Sequence, residues 1–222
     1  MIAALARTAA LITLCWAGIA AAAEDPAPKF REFVLGNPKA KVTMIEYASL
    51  SCPHCAHFQE ETYPKLKKDY IDTGKIKFLF RDFPLDGLAL AGSVIARCVA
   101  PDKGHKLVEV LFAQQQKWTT APKPLEPLKE LAKSVGIPED QAEECLKNKE
   151  LVDSIRDERE LSIKTYQIDA TPAFFIGDQT LQGDAPYDEV KAILDEELKT
   201  ANDPKKTPAK KLPPATKASF TR

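Results

Sequence analysis

The spacing of apolar positions along the chain changes several times, and each change marks an element. A short apolar stretch from Phe30 to Leu35 stops at Gly36-Asn37-Pro38, which predicts a first strand closed by a turn. KVTMIEYASL follows as a continuous β-branched and aromatic run, the pattern of a central strand buried on both faces. From His54 to about Ile71 the period becomes helical, with Phe58, Thr62, Leu66 and Tyr70 on one stripe. Pro64 within that helix removes a backbone donor and predicts a kink. Asp72-Thr73-Gly74 ends the helix, and Ile76 to Phe83 reads as another strand. Strand, helix, strand in this order predicts a right-handed βαβ unit with parallel strands.

No strand pattern occurs from Asp86 to Gln167. Amphipathic stretches at 87–100, 104–118, 125–135, 139–147 and 150–166 are broken by Pro101, Gly104, Pro122 with Pro124, and Gly136 with Pro138, which predicts some five helices. Phe112 and Trp118 within them read as core. The strand period returns at Ala173 to Ile176, with Gly177-Asp178 as a hairpin turn, Thr180 to Gln182 as the return strand, and Tyr187 to Leu198 as a closing helix. The fold class is therefore α/β. One sheet domain spans residues 24–85 and 168–199, interrupted by an all-helical insert over 86–167.

The two ends stand apart. Residues 1–23 hold Arg7, an apolar stretch from Leu11 to about Ala20, and small residues before Glu24, the pattern of a cleaved export signal. A membrane anchor is the competing reading, but the stretch is short and Ala-rich for a span of ~20 apolar residues. Cys15 follows the large Leu14 rather than a small residue, which argues against a lipid-modified Cys and assigns Cys15 to the signal. At the other end, residues 200–222 carry Lys205, Lys206, Lys210, Lys211, Lys217 and Arg222 against Asp203, with four prolines, and cannot bury a core. The formal charge of −1 hides this asymmetry, because acids outnumber bases between the two ends. No nucleic-acid partner is expected of so acidic a folded part.

The chemistry enters at Cys52-Pro53-His54-Cys55, which lies where the central strand gives way to a helix. There the unpaired N–H groups of the first turn and the helix dipole favour a thiolate at Cys52, with Cys55 one turn in as its partner. His54 offers a donor or a cation beside the sulfur, and Pro53 at the first helical position costs no hydrogen bond. The sequence predicts an exposed, nucleophilic Cys52. A zinc site would need a second such pair, and only His57 is at hand, so no metal is expected. A bridge across so small a loop does little for stability, which leaves redox chemistry. The other mature cysteines, Cys98 and Cys145, are then left for each other in an oxidising compartment, or remain as two buried thiols. Glu46 in the central strand is either buried with a task, its pKa raised, or turned to a polar edge. Thr171-Pro172 precedes a strand, where a proline can be cis.

With IEYASLSCPHC, the helical insert and TPAFFIGDQTLQG in place, the chain resembles the DsbA-like thiol-disulfide oxidoreductases over about residues 30–199. Two cysteines in the insert resemble the arrangement in alphaproteobacterial members. The resemblance implies a thioredoxin fold with a helical insertion and a redox-active Cys52–Cys55 disulfide. It implies further that Pro172 is cis and faces Cys52, that Thr171 offers backbone hydrogen bonds to a substrate peptide, and that Glu46 is the buried acid that exchanges a proton with Cys55. It also implies a periplasmic monomer without organic cofactor or metal, re-oxidised by a membrane quinone-linked partner of the DsbB type. Thr171 stands where the enterobacterial oxidases carry Val, and disulfide isomerases also carry Thr there. The rival readings are an isomerase or reductase kept reduced by another system, and a chaperone-like peptide-binding protein whose cysteines are incidental.

Overall fold

A five-stranded mixed sheet in the order β1-β3-β2-β4-β5 forms the frame of the computed structural model, which describes residues 32–202. The predicted export signal and nearly all of the basic tail lie outside these residues. Among the described residues no helix is long and apolar enough to cross a membrane.

The strands are β1 (Phe33–Gly36), β2 (Val42–Ala48), β3 (Ile76–Asp82), β4 (Ala173–Ile176) and β5 (Gln179–Gln182). The continuous apolar run places β2 in the middle, parallel to β3 and antiparallel to β4. Alternation along β2 turns Ile45 and Tyr47 to one core, with Leu79, Phe83 and Ile168. Met44 and Ala48 turn to the other, larger core, with Phe58, Leu66 and Phe174. Glu46 shares the parity of Met44 and Ala48 and therefore faces inward, not toward an edge.

Helix α1 (Pro53–Glu61) ends at Thr62, and α2 (Tyr63–Leu66) carries the chain into a π-helical turn over Lys67–Ile71. The break falls two residues before Pro64, because Pro64 has no N–H for a continuing helix and sits instead in the first turn of the next one. Phe58, Thr62, Leu66 and Tyr70 are all buried, as their stripe predicts.

Six helices, not five, lie between β3 and β4: α3 (Gly87–Cys98), α4 (Pro101–Ala113), α5 (Gln115–Thr119), α6 (Leu125–Ser134), α7 (Glu139–Leu146) and α8 (Lys149–Tyr166). Pro101 opens α4 rather than breaking a helix, since the first helical position needs no donor. The stretch expected to continue to residue 118 divides at Gln114. The division lets Trp118 return into the core and donate its Nε1–H to the Leu111 carbonyl at 2.9 Å. Gly104 of α4 is packed where a Cβ would come within 2.1 Å of the Ala96 carbonyl oxygen, so it sets the close crossing of α3 and α4. The insert is pinned to β3 by buried Arg97, which donates to Asp82 Oδ2 at 2.5 Å and to the Phe80 carbonyl at 2.8 Å. The closing helix α9 (Tyr187–Ala201) covers the larger core through Val190 and Leu194.

Cys98 of α3 and Cys145 of α7 are joined by a disulfide across a sequence separation of 47. A loop of that length predicts a loss of about 4 kcal/mol of unfolding free energy in a Cys98→Ser/Cys145→Ser chain by the chain-entropy relation. Guanidinium denaturation at constant pH measures it, and an unchanged midpoint would show that the bridge constrains little.

Candidate active site

Cys52 occupies the N-cap of α1, with extended backbone angles of φ −78° and ψ 121°. The strand-to-helix turn places its sulfur beside the first-turn N–H groups that an α-helix leaves unpaired. The Cys55 thiol, the Thr171 hydroxyl and the backbone N–H groups of Cys55 and His54 act together against the cost of burial, and they draw the Cys52 thiol down to about 5. Cys55 is driven the opposite way: burial pushes its thiol far above the usual range, and the neighbouring Cys52 sulfur and Glu46 add to it. Cys52 and Cys55 are not bonded to each other in this structure.

The site is less open than the sequence predicts. Cys52 is only 5 % exposed, and Cys55 is wholly buried. The His54 side chain is exposed to solvent, and what His54 brings to the sulfur is its backbone N–H. Pro53 is the first residue of α1.

Opposite the sulfur lies the loop before β4. The Thr171–Pro172 peptide is cis, and the Cys52 thiol meets the Thr171 carbonyl at 3.4 Å. The Pro172 carbonyl is taken by the Gly183 N–H at 2.8 Å. The side-chain oxygen of Gln182 on β5 accepts the N–H groups of Asp169 and Ala170 at 3.2 and 3.3 Å, so β5 braces this loop from behind. His57, the nearest side chain weighed as a metal ligand, pairs with Asp184 at 2.6 Å. Among the described residues no group of three or more His, Cys, Asp and Glu side chains is placed to hold a metal ion.

Glu46 lies beneath the pair, fully buried. Its Oε2 accepts from Gln59 Nε2 at 2.8 Å, while its Oε1 has no hydrogen-bond partner among the described residues. Burial raises the carboxyl to about 8, and the Gln59 bond offsets that only in part. Gln59 also lines a cleft of about 350 Å³ between α1 and α4, shared with Glu60, Tyr63, Lys67 and Glu109.

Three glutamines and a serine around the site escaped the sequence reading. Gln59 holds Glu46, Gln182 holds the cis-proline loop, and Gln115 of α5 donates to the carbonyls of Leu50 and Cys52 at 2.9 and 3.0 Å. Ser49 Oγ accepts the N–H of Leu85 at 3.2 Å and of Ser51 at 3.4 Å. Gln59 carried a faint signal, one turn past Cys55 on the same helix. Gln115 carried none, since it sits in a run of three glutamines.

The thioredoxin family model matches residues 30–196. A Rickettsia conorii protein whose name assigns it to the protein-disulfide oxidoreductases is 33 % identical over 169 residues, 75 % of this chain, and the match spans 60 % of that relative's length. Disulfide bond formation protein D of Bacillus subtilis is 33 % identical, over 75 % of this chain and 77 % of its own. Among solved structures, Wolbachia pipientis alpha-DsbA1 superposes with a TM-score of 0.73 at 30 % identity, covering 79 % of this chain and 95 % of its own. BdbD from Bacillus subtilis superposes with a TM-score of 0.68 at 30 % identity, covering 76 % and 93 %.

Proposed function

Because this chain belongs to the DsbA-like thiol-disulfide oxidoreductases of the thioredoxin family, we propose that it donates the Cys52–Cys55 disulfide to exported proteins as they fold. The observation that carries the reading is the asymmetry of the pair: one sulfur stabilised as thiolate at a helix N-cap, the other buried as thiol one turn below. A client thiolate attacks Cys52 of the oxidised pair. The Cys52–Cys55 bond breaks, Cys55 takes the electron pair, and the client sulfur is left bonded to Cys52. A second client thiolate then attacks the first client sulfur and displaces Cys52 as a thiolate. The client gains one disulfide and the enzyme two electrons.

Direction follows from the same groups. Whatever stabilises the departing Cys52 thiolate stabilises the reduced enzyme, and a couple whose reduced form is favoured is oxidising. Glu46 serves as the acid that protonates Cys55 as it leaves, because the site raises both groups and keeps them out of water. Thr171 and Pro172 form the wall against which a client backbone is laid. The setting is the periplasm, reached through the export signal, and re-oxidation falls to a membrane quinone-linked partner of the DsbB type. Residues 24–85 and 168–199 form the redox domain and 86–167 the helical one.

The potential of the pair tests this. A Cys98→Ser/Cys145→Ser chain equilibrated with graded glutathione buffers, its free thiols trapped in acid, is expected to lie well above the thioredoxin value of about −270 mV. A value near or below that figure would move the protein to the reductases or isomerases, the reading that Thr171 keeps in play.

A further inference from the structure

We propose that Gln115, carried by the helical insert, is a positioning residue for Cys52, whose side-chain amide holds the loop that presents the sulfur. The inference rests on the reading of Cys52 as the attacked sulfur and adds the group that aims it.

Gln115 lies buried on α5, and its Nε2 donates to the carbonyl of Leu50 at 2.9 Å and to that of Cys52 at 3.0 Å. An amide nitrogen has two hydrogens. Both are spent on the short loop between β2 and α1, on carbonyls that flank the turn into the helix. The Cys52 carbonyl is also the acceptor of the Ala56 N–H at 3.1 Å, the first bond of α1. Fixing that oxygen fixes ψ of Cys52. It therefore fixes where the N–H groups of His54 and Cys55 point relative to the sulfur they support.

A second effect is electrostatic. A carbonyl oxygen is the negative end of a dipole, and two of them beside a forming thiolate oppose it. A donor on each lessens that opposition inside a site where charges are poorly screened. An apolar residue of the same length would fill the space and leave the Leu50 carbonyl facing it.

The insert is built to turn this amide inward. The chain breaks between α4 and α5 at Gln114, buried Trp118 anchors the next turn, and Thr119 Oγ1 donates to the Gln115 carbonyl at 2.8 Å. Ser49 Oγ, accepting the Leu85 N–H, ties the same loop to the segment after β3. The loop from Ser49 to Cys52 is thus held by the segment after β3 and by the insert at once.

The test uses the full chain with Gln115→Met, which keeps length and loses both donors, and Gln115→Glu, which keeps one donor when neutral and none when ionised. Gln116→Met, at the exposed neighbour, is the control. The thiolate absorbance of the reduced proteins is followed against pH, with thermal unfolding measured in parallel. Gln115→Met is expected to raise the Cys52 midpoint by about one unit, a tenfold loss of thiolate below it. Ionised Gln115→Glu is expected to raise it further, because its carboxylate repels the same carbonyls. A midpoint that stays in place in either folded variant, even with a lower melting temperature, overturns the proposal and leaves Gln115 as packing. The titration reads Cys52 directly. A wild-type chain that fails to oxidise a client would sink the proposed function and leave this result standing or falling on its own.

Discussion

A Cys52→Ser chain is expected to lose disulfide transfer to a reduced multi-disulfide client by more than about 10³-fold, the scale of removing a covalent nucleophile. Cys55 cannot substitute, since it is fully buried and held as a thiol by burial and by the charges beside it. Cys55→Ser should behave differently. Its Cys52 attacks an oxidised client and has no neighbour to release it, so a mixed disulfide accumulates and appears by mass spectrometry at the client's mass plus that of the chain. The pH dependence follows from the same sulfur. Iodoacetamide should alkylate Cys52 of the reduced protein at a rate that is flat near neutrality and falls as the pH drops through about 5. Oxidative refolding of the client that survives Cys52→Ser would leave peptide binding as the activity and remove the oxidase reading.

Glu46→Gln is expected to stabilise the protein at neutral pH and to slow it. The native state holds the Glu46 proton up to about pH 8, whereas the unfolded chain releases it near 4.5. Between those values the unfolded state binds fewer protons, so stability is greatest below 4.5 and falls as the pH rises through the window. At pH 7 the linkage amounts to roughly 3 kcal/mol. Gln removes that penalty, offset in part by a buried amide that must find partners, for a net gain of about 1–2 kcal/mol. The same change removes an acid that can give a proton to Cys55, and single-turnover transfer should slow by about 10²-fold. Urea denaturation at pH 5 and pH 7.5, beside single-turnover rates, checks both. A variant that is less stable at pH 7.5, or as fast as the parent, would make Glu46 a structural residue.

Much of the site was legible because its groups are fixed by local grammar. A Cys-x-x-Cys pair between a strand run and a helical stripe reads as a thiol at a helix N-terminus, and the chain has no freedom to put it elsewhere. The same holds for the βαβ order and the Gly177-Asp178 hairpin, whereas the face that Glu46 takes stayed open between the core and a polar edge until the packing turned it inward. Pro101 and Pro64 show the limit of that grammar. A proline without a donor can end a helix or begin one, and only the packing of α3 on α4 and of α1 on the sheet selects between the two.

The sequence by itself settled what repeats over short distances: the periods of the strands and helices, the Cys-x-x-Cys pair at a strand-to-helix junction, and the α/β class with its helical insert. The tertiary structure alone decided what depends on contacts between distant segments. It brought Thr171 to within 3.4 Å of Cys52, joined Cys98 to Cys145, set Gln59 against Glu46, and aimed Gln115 from the insert at the turn of the redox loop. It also closed over the sulfur that the sequence leaves exposed. The physical reason is that burial and hydrogen-bond partners belong to the packed whole. A side chain's pKa follows from both, so Cys52 and Cys55, alike as residues, become thiolate and thiol only where the fold sets them.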